Sequence, residues 1–195
     1  MRILWDFDGT LMDTYPVYAK LFWEALDKPC SEREMFDLLK VTFGHAFKVL
    51  GLTREQVERL RVLERQLDPA QFHPFDGVEE VLAAAEVNVI MTHKDRKNAH
   101  AILRETGLEK YFTEIVTADD GFPNKPDPAS YRYLHEKYHL DLAVGDRELD
   151  ILPAKAIGIG TCLFQNHTPG ADYYVDSYDD FFAVIGRKNI ENGRK

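Results

Sequence analysis

Cysteine is nearly missing from this chain. Its 195 residues hold two, Cys30 and Cys162, far apart and without metal or redox spacing. That excludes a disulfide-framed fold and a cysteine-built zinc centre, and two reduced thiols of an intracellular protein are expected. Positive charge is the second shortage. Lys and Arg number 24 against 33 Asp and Glu, a net charge of −9 at pH 7. The pI near 5.3 says the same. Such a surface repels phosphate-rich partners, so neither nucleic acid nor an anionic membrane is expected to bind. A small anionic ligand fits only where positive charge is gathered locally, by a metal or a few placed lysines. No apolar run approaches bilayer length. No charged-then-apolar leader precedes the first strand-like run, and no repeat or low-complexity stretch follows it. A soluble cytoplasmic protein, monomer or homodimer, is the expectation.

What is present is ordinary globular material, with 45% apolar, 12% aromatic and 29% charged residues. The length allows one good-sized domain, or a core with a modest insertion. The organising stretch is the first ten residues. Ile3-Leu4-Trp5 reads as a buried strand and ends in Asp6-Phe7-Asp8-Gly9-Thr10. The i, i+2 spacing puts both carboxylates on one side of an ideal strand, and Gly9 suggests a sharp turn. Paired carboxylates at a buried strand end need a cation, a shared proton or solvent. The plain alternative is two loop carboxylates facing water.

From 15 to 72 the chain lacks strand-like runs and shows helical periodicity. Val17, Leu21, Phe22 and Leu26 line one face. Ser31 with Glu34 and Thr53 with Gln56 are capping-box signals opening helices at Glu32 and Arg54. A third helix is expected over Gly44–Leu50. This stretch reads as an all-helical insert, the alternative being helices packed on one common core. Afterwards strands and helices alternate. Strands are expected at Val87–Met91, Glu114–Thr117, Leu142–Val144, Ile157–Leu163 and Tyr173–Val175. Helices are expected at Val78–Glu86, Lys97–Thr106, Ala129–Tyr138, from near Asp150 because Pro153 belongs in a first turn, and at Tyr178–Ile185 before a polar tail over 187–195. Alternation implies an α/β fold with a Rossmann-like parallel sheet, whose sites lie beyond the carboxyl ends of the strands. Asp6, Thr92 and Asp146 each follow an apolar strand, and Lys125 lies in the loop after another.

On these residues the chain resembles the haloacid dehalogenase-like phosphohydrolases. All four motifs of that family occur in order: Asp6-Phe7-Asp8-Gly9-Thr10, Thr92, Lys125-Pro126, and Gly145-Asp146 with Asp150. The resemblance runs from Met1 to about Leu163, and the branch it is most similar to is that of phosphoglycolate phosphatase and β-phosphoglucomutase, with a small helical cap. It implies a catalytic core of 1–14 plus 73–195 and a cap of 15–72. It implies a Mg2+-dependent phosphatase of a small phosphorylated metabolite, phosphoglycolate first, with pyrophosphate and sugar phosphates (or a mutase) behind it.

The implied roles suit the residue types. Asp6 is the expected nucleophile, forming an aspartyl-phosphate, and Asp8 the general acid and then base. Mg2+ would take Asp6, the Asp8 backbone carbonyl and Asp146, all hard oxygen donors. Thr92 offers a hydroxyl to phosphate, Gly9 and His93 their backbone, and Lys125 a point charge. Asp150 supports Lys125 or a metal-bound water, or caps its helix. His93 departs from the Asn common in relatives. Asp8 favours phosphoryl transfer over dehalogenation, since dehalogenating relatives lack that second acid. Residues 40–45 correspond to a mutase cap loop but hold no Arg. Lys40, Thr42 and His45 are the candidate cap contacts, with ordinary helix-end residues as the alternative. From another class, a phospho-accepting signalling domain also uses Asp, Thr and Lys, but needs its acceptor on a middle strand and lacks the Gly-Asp-x-x-x-Asp motif.

Overall fold

The structure, a computed structural model, describes residues 1–192. In chain order it forms β1 (Arg2–Trp5), α1 (Tyr15–Ala25), α2 (Glu32–Val41), α3 (Phe43–Val49), α4 (Arg54–Arg65), α5 (Val78–Ala84), β2 (Val87–Met91), α6 (Arg96–Glu105), β3 (Glu114–Val116), α7 (Ala129–Tyr138), β4 (Leu142–Gly145), α8 (Glu148–Ala156), β5 (Gly160–Phe164), β6 (Tyr173–Val175) and α9 (Phe181–Asn192). The elements divide into two compact units, Met1–Met12 with Pro74–Lys195, and Asp13–His73.

The first unit is α/β. Its strands form one sheet in the order β3-β2-β1-β4-β5-β6, and every pairing is parallel. β1 therefore lies inside the sheet. Its Ile3, Leu4 and Trp5 are fully buried, as expected of a strand covered on both faces. Leu4 packs with Val89, Met91, Val116 and Ala143 from neighbouring strands, and with Tyr131, Leu134 and Ala154 from α7 and α8. Trp5 lies against Tyr178 and Phe181. Its indole N–H donates to Asn88 Oδ1 at 2.9 Å, so a buried polar pair ties β1 to β2.

The second unit is helical, and its local signals are made as written. Ser31 with Glu34 and Thr53 with Gln56 both close capping boxes. An aromatic cluster joins the helices, with Tyr18 and Phe22 each edge-on to Phe43, centroids 5.4 and 5.6 Å away.

Several boundaries differ from the sequence reading. α8 begins at Glu148, so Pro153 sits inside it. Asp150 is the third helical residue rather than the cap, and its Oδ2 accepts the Arg147 N–H at 3.1 Å, drawing the start back. β5 begins at Gly160. Ile157 ends α8 and Gly158 turns the chain with φ 80°, so this apolar run serves two elements. A short 3-10 turn over Tyr178–Asp180 precedes α9, which continues to Asn192 through most of the expected tail. The remainder of that tail, 193–195, lies outside the described residues.

Candidate active site

The β1 end continues its pairing for one residue, the Asp6 N–H donating to the Val144 carbonyl at 2.9 Å. The chain then folds back tightly. Phe7 O accepts the N–H groups of Leu11 and Met12, and the Gly9 N–H donates to Met12 O at 2.8 Å. Gly9 has φ 77°, a left-handed value that favours glycine. Thr10 Oγ1 donates to Asp6 Oδ2 at 3.3 Å. The Tyr178 hydroxyl, from the far end of the chain, donates to Thr10 O at 2.8 Å.

Three other strands of the sheet, β2, β3 and β4, deliver the partners. Lys125, from the loop after β3, points Nζ at Asp6 Oδ1, 2.6 Å away, and at Asp150 Oδ1, 2.8 Å away. Asp146 follows β4 directly, and Asp150 comes from the first turn of α8. Gly145 permits this approach, since a Cβ there would lie 2.2 Å from Asp150 Cβ. Thr92 follows β2, its N–H on Val116 O at 2.9 Å and its Oγ1 accepting the Lys94 N–H at 3.1 Å.

The electrostatics are those of a crowded, dry centre. Burial pushes the Asp6 carboxyl up, but Lys125 and then Arg147 overcome it and hold Asp6 below the usual range. Asp150 is pushed up by burial and by Asp6. Burial opposes the charge on Lys125, yet Asp150 and Asp6 keep it firmly protonated. One ammonium thus serves two carboxylates, of which Asp6 is the more acidic. Asp6, Asp146 and Asp150 place carboxylate oxygens within 4.8 Å of one another. Against these three acids stand Lys125 and, more loosely, Arg147, with Nε 3.6 Å from Asp146 Oδ1. The balance stays negative and every donor is a hard oxygen, so this cluster could hold a metal ion.

Of the residues expected from sequence, Asp6, Lys125, Asp146 and Asp150 meet in this cluster. The Asp8 side chain turns elsewhere, Oδ1 lying 3.1 Å from Lys94 Nζ. His93 uses its ring, Nε2 accepting the Lys125 backbone N–H at 3.1 Å, which places its proton on Nδ1. In the helical unit Thr42 Oγ1 caps α3 by accepting the His45 N–H at 2.9 Å. Lys40 Nζ sits 5.1 Å from the Tyr15 ring centre. Sequence reasoning missed Lys94 and Tyr178, whereas Arg147, expected as a surface or ion-pair residue rather than a catalytic one, does pair with Asp146. Lys94 follows Thr92 by two residues, and that proximity was its only signal.

Comparison with known proteins decides the family. The sequence model described as "Haloacid dehalogenase-like hydrolase" matches residues 3–164. The chain belongs to this family. A Vibrio parahaemolyticus relative named phosphoglycolate phosphatase is 29% identical, the match covering 94% of this chain and 95% of the relative. A Bacillus pumilus relative named pyrophosphatase PpaX is 26% identical, over 94% and 95%. A solved hydrolase from Streptococcus pneumoniae is 30% identical with a TM-score of 0.66, covering 85% and 92%. The chain is thus a haloacid dehalogenase-like hydrolase of the phosphatase kind, and the signalling-domain alternative falls away. No described helix is long and apolar enough to cross a membrane.

Proposed function

We propose that this haloacid dehalogenase-like hydrolase is a cytoplasmic Mg2+-dependent phosphatase of a small phosphorylated metabolite, with phosphoglycolate the favoured substrate. The reading is carried by one observation: Asp6, Asp146 and Asp150 lie within 4.8 Å of one another, with Lys125 bonded to two of them.

A phosphate ester repels nucleophiles until its charge is balanced. Asp6 stays ionised despite burial, as a nucleophile on phosphorus must. Its attack forms an aspartyl-phosphate and releases the alcohol as Asp8 gives a proton to the leaving oxygen; Asp8 then takes a proton from a water that attacks phosphorus, breaking the Asp6 O–P bond and releasing inorganic phosphate. Thr92 and the backbone of Gly9 and His93 hold phosphate oxygens. Lys125 holds Asp6 and balances the transferring group, and Asp150 fixes Lys125. Mg2+ would be held by Asp6, Asp146 and the Asp8 carbonyl, and when bound supplies further charge neutralisation of the phosphoryl group. The helical stretch 15–72 is assigned as the cap and 1–14 plus 73–195 as the core, and Lys40, Thr42 and His45 are the cap's candidate substrate contacts.

Pyrophosphate is the second reading, favoured by the equally well covered relative of that name. Phosphate release from phosphoglycolate and from pyrophosphate, with Mg2+ and with EDTA, tests both. Asp6→Asn should abolish turnover, and p-nitrophenyl phosphate cleavage retained by that variant would overturn the mechanism.

A further inference from the structure

Two lysines bury ammonium groups beside the motif carboxylates. Lys125 is accounted for by Asp6 and Asp150. Lys94 is a second buried cation, its side chain only 5% exposed, set 3.1 Å from an Asp8 side chain that is itself 22% exposed. Its Nζ lies 5.5 Å from the ring centre of the fully buried Phe7. Its backbone is pinned from both sides, the N–H on Thr92 Oγ1 and the carbonyl accepting the Ala118 N–H at 3.1 Å. The charge is therefore held in place on the Asp8 side of the site. In the phosphatase reading, on which this inference rests, Asp6 faces phosphorus and Asp8 faces the leaving oxygen. Lys94 then stands beside whatever that oxygen carries.

We infer that Lys94 is a specificity-determining residue that selects phosphate compounds whose leaving group carries a second anionic group, a carboxylate or a phosphoryl, a few bonds from the bridging oxygen. An anion there meets a preorganised, poorly hydrated ammonium, where charge pairs are strongest. A cationic leaving group is repelled by the same charge. The substrates named for the two relatives differ in chemistry but share this feature: glycolate carries a carboxylate and pyrophosphate a second phosphoryl group.

O-Phosphoethanolamine places an ammonium where phosphoglycolate has its carboxylate. With Mg2+, wild-type kcat/KM for phosphoglycolate should exceed that for O-phosphoethanolamine by at least about tenfold, roughly 1.4 kcal/mol of charge discrimination. In Lys94→Met both rates fall, but the ratio should drop by at least about tenfold, which a merely structural role would not produce. A preserved ratio with both rates lowered in parallel would mean that Lys94 only positions Asp8, and would overturn the inference. Wild-type ratios near one would overturn it without any variant, should Lys94→Met fail to fold. Absence of turnover of every phosphate ester defeats the phosphatase reading itself, whereas brisk turnover with a flat ratio defeats this inference alone.

Discussion

At the scale of single residues, the site is a problem in placing charge where water is scarce. Lys125 is the clearest case, a buried ammonium between two buried carboxylates. Removing one member of such a set leaves the rest uncompensated. Lys125→Met should therefore lower metal-free stability by about 3–5 kcal/mol in urea unfolding and abolish turnover. Adding Asp150→Asn should recover part of that loss, because one of two opposed carboxylates is then neutral. Additive losses in the double variant would mean the pair does not interact. His93 gives a second test. Burial and then Lys125 lower its pKa from 6.5 to about 4. Above pH 6.5 folded and unfolded chains both hold it neutral, and it adds nothing to the pH dependence. Between 6.5 and about 4 the unfolded chain takes a proton that the folded one refuses, so stability falls as pH falls. His93 is an exposed residue, so the direction is the prediction. Metal-free wild type should lose more urea midpoint from pH 7 to pH 5 than His93→Asn, which cannot titrate there. Equal losses would remove His93 from the account.

At the scale of elements, the sequence was most legible where a short apolar run ends in a polar residue. β2 and α7 match their expected limits, because apolar periodicity and nearby breakers agree. The run Ile157–Leu163 was harder, since helix end, turn and strand are all apolar there. The start of α8 was misread because the proline rule is local, while Asp150 reaches back to the Arg147 N–H. The site divides likewise. Asp6, Lys125, Asp146 and Asp150 could be read from their motifs, but the Lys94–Asp8 contact joins loops 86 residues apart in number and depends on side-chain direction. The tightest demand at this scale falls on Gly145, where β4 meets α8. A methyl group placed 2.2 Å from Asp150 Cβ forces one of the two elements to move. Gly145→Ala should cost about 3 kcal/mol, the upper end of ordinary overpacking. It should also cut kcat by displacing Asp150 and with it Lys125. A variant with wild-type stability and rate would show that α8 shifts without consequence.

At the scale of the whole molecule, a net charge of −9 sets the background against which any cation binds. Three of its acids, Asp6, Asp146 and Asp150, nevertheless meet just beyond strand ends of the parallel sheet. Burying Asp6, Asp146 and Asp150 together makes the metal-free state repel itself. A cation held by these acids relieves that repulsion only in the folded state, because the three are scattered in the unfolded chain. Binding energy then becomes stability. With free Mg2+ at about a hundred times its Kd, the gain is about 2.7 kcal/mol, or roughly 5–10 °C in Tm for a chain of this length. Asp146→Asn should act in opposite senses on the two forms. It removes one of the crowded charges, so the metal-free protein should melt higher than wild type. It also removes a proposed ligand, so added Mg2+ should raise its Tm little. Paired thermal melts with MgCl2, and with NaCl at matched ionic strength, separate site binding from screening of the acidic surface. If NaCl raised the wild-type Tm as much as MgCl2, the acids would be responding to salt alone, and the central cluster would be no metal site.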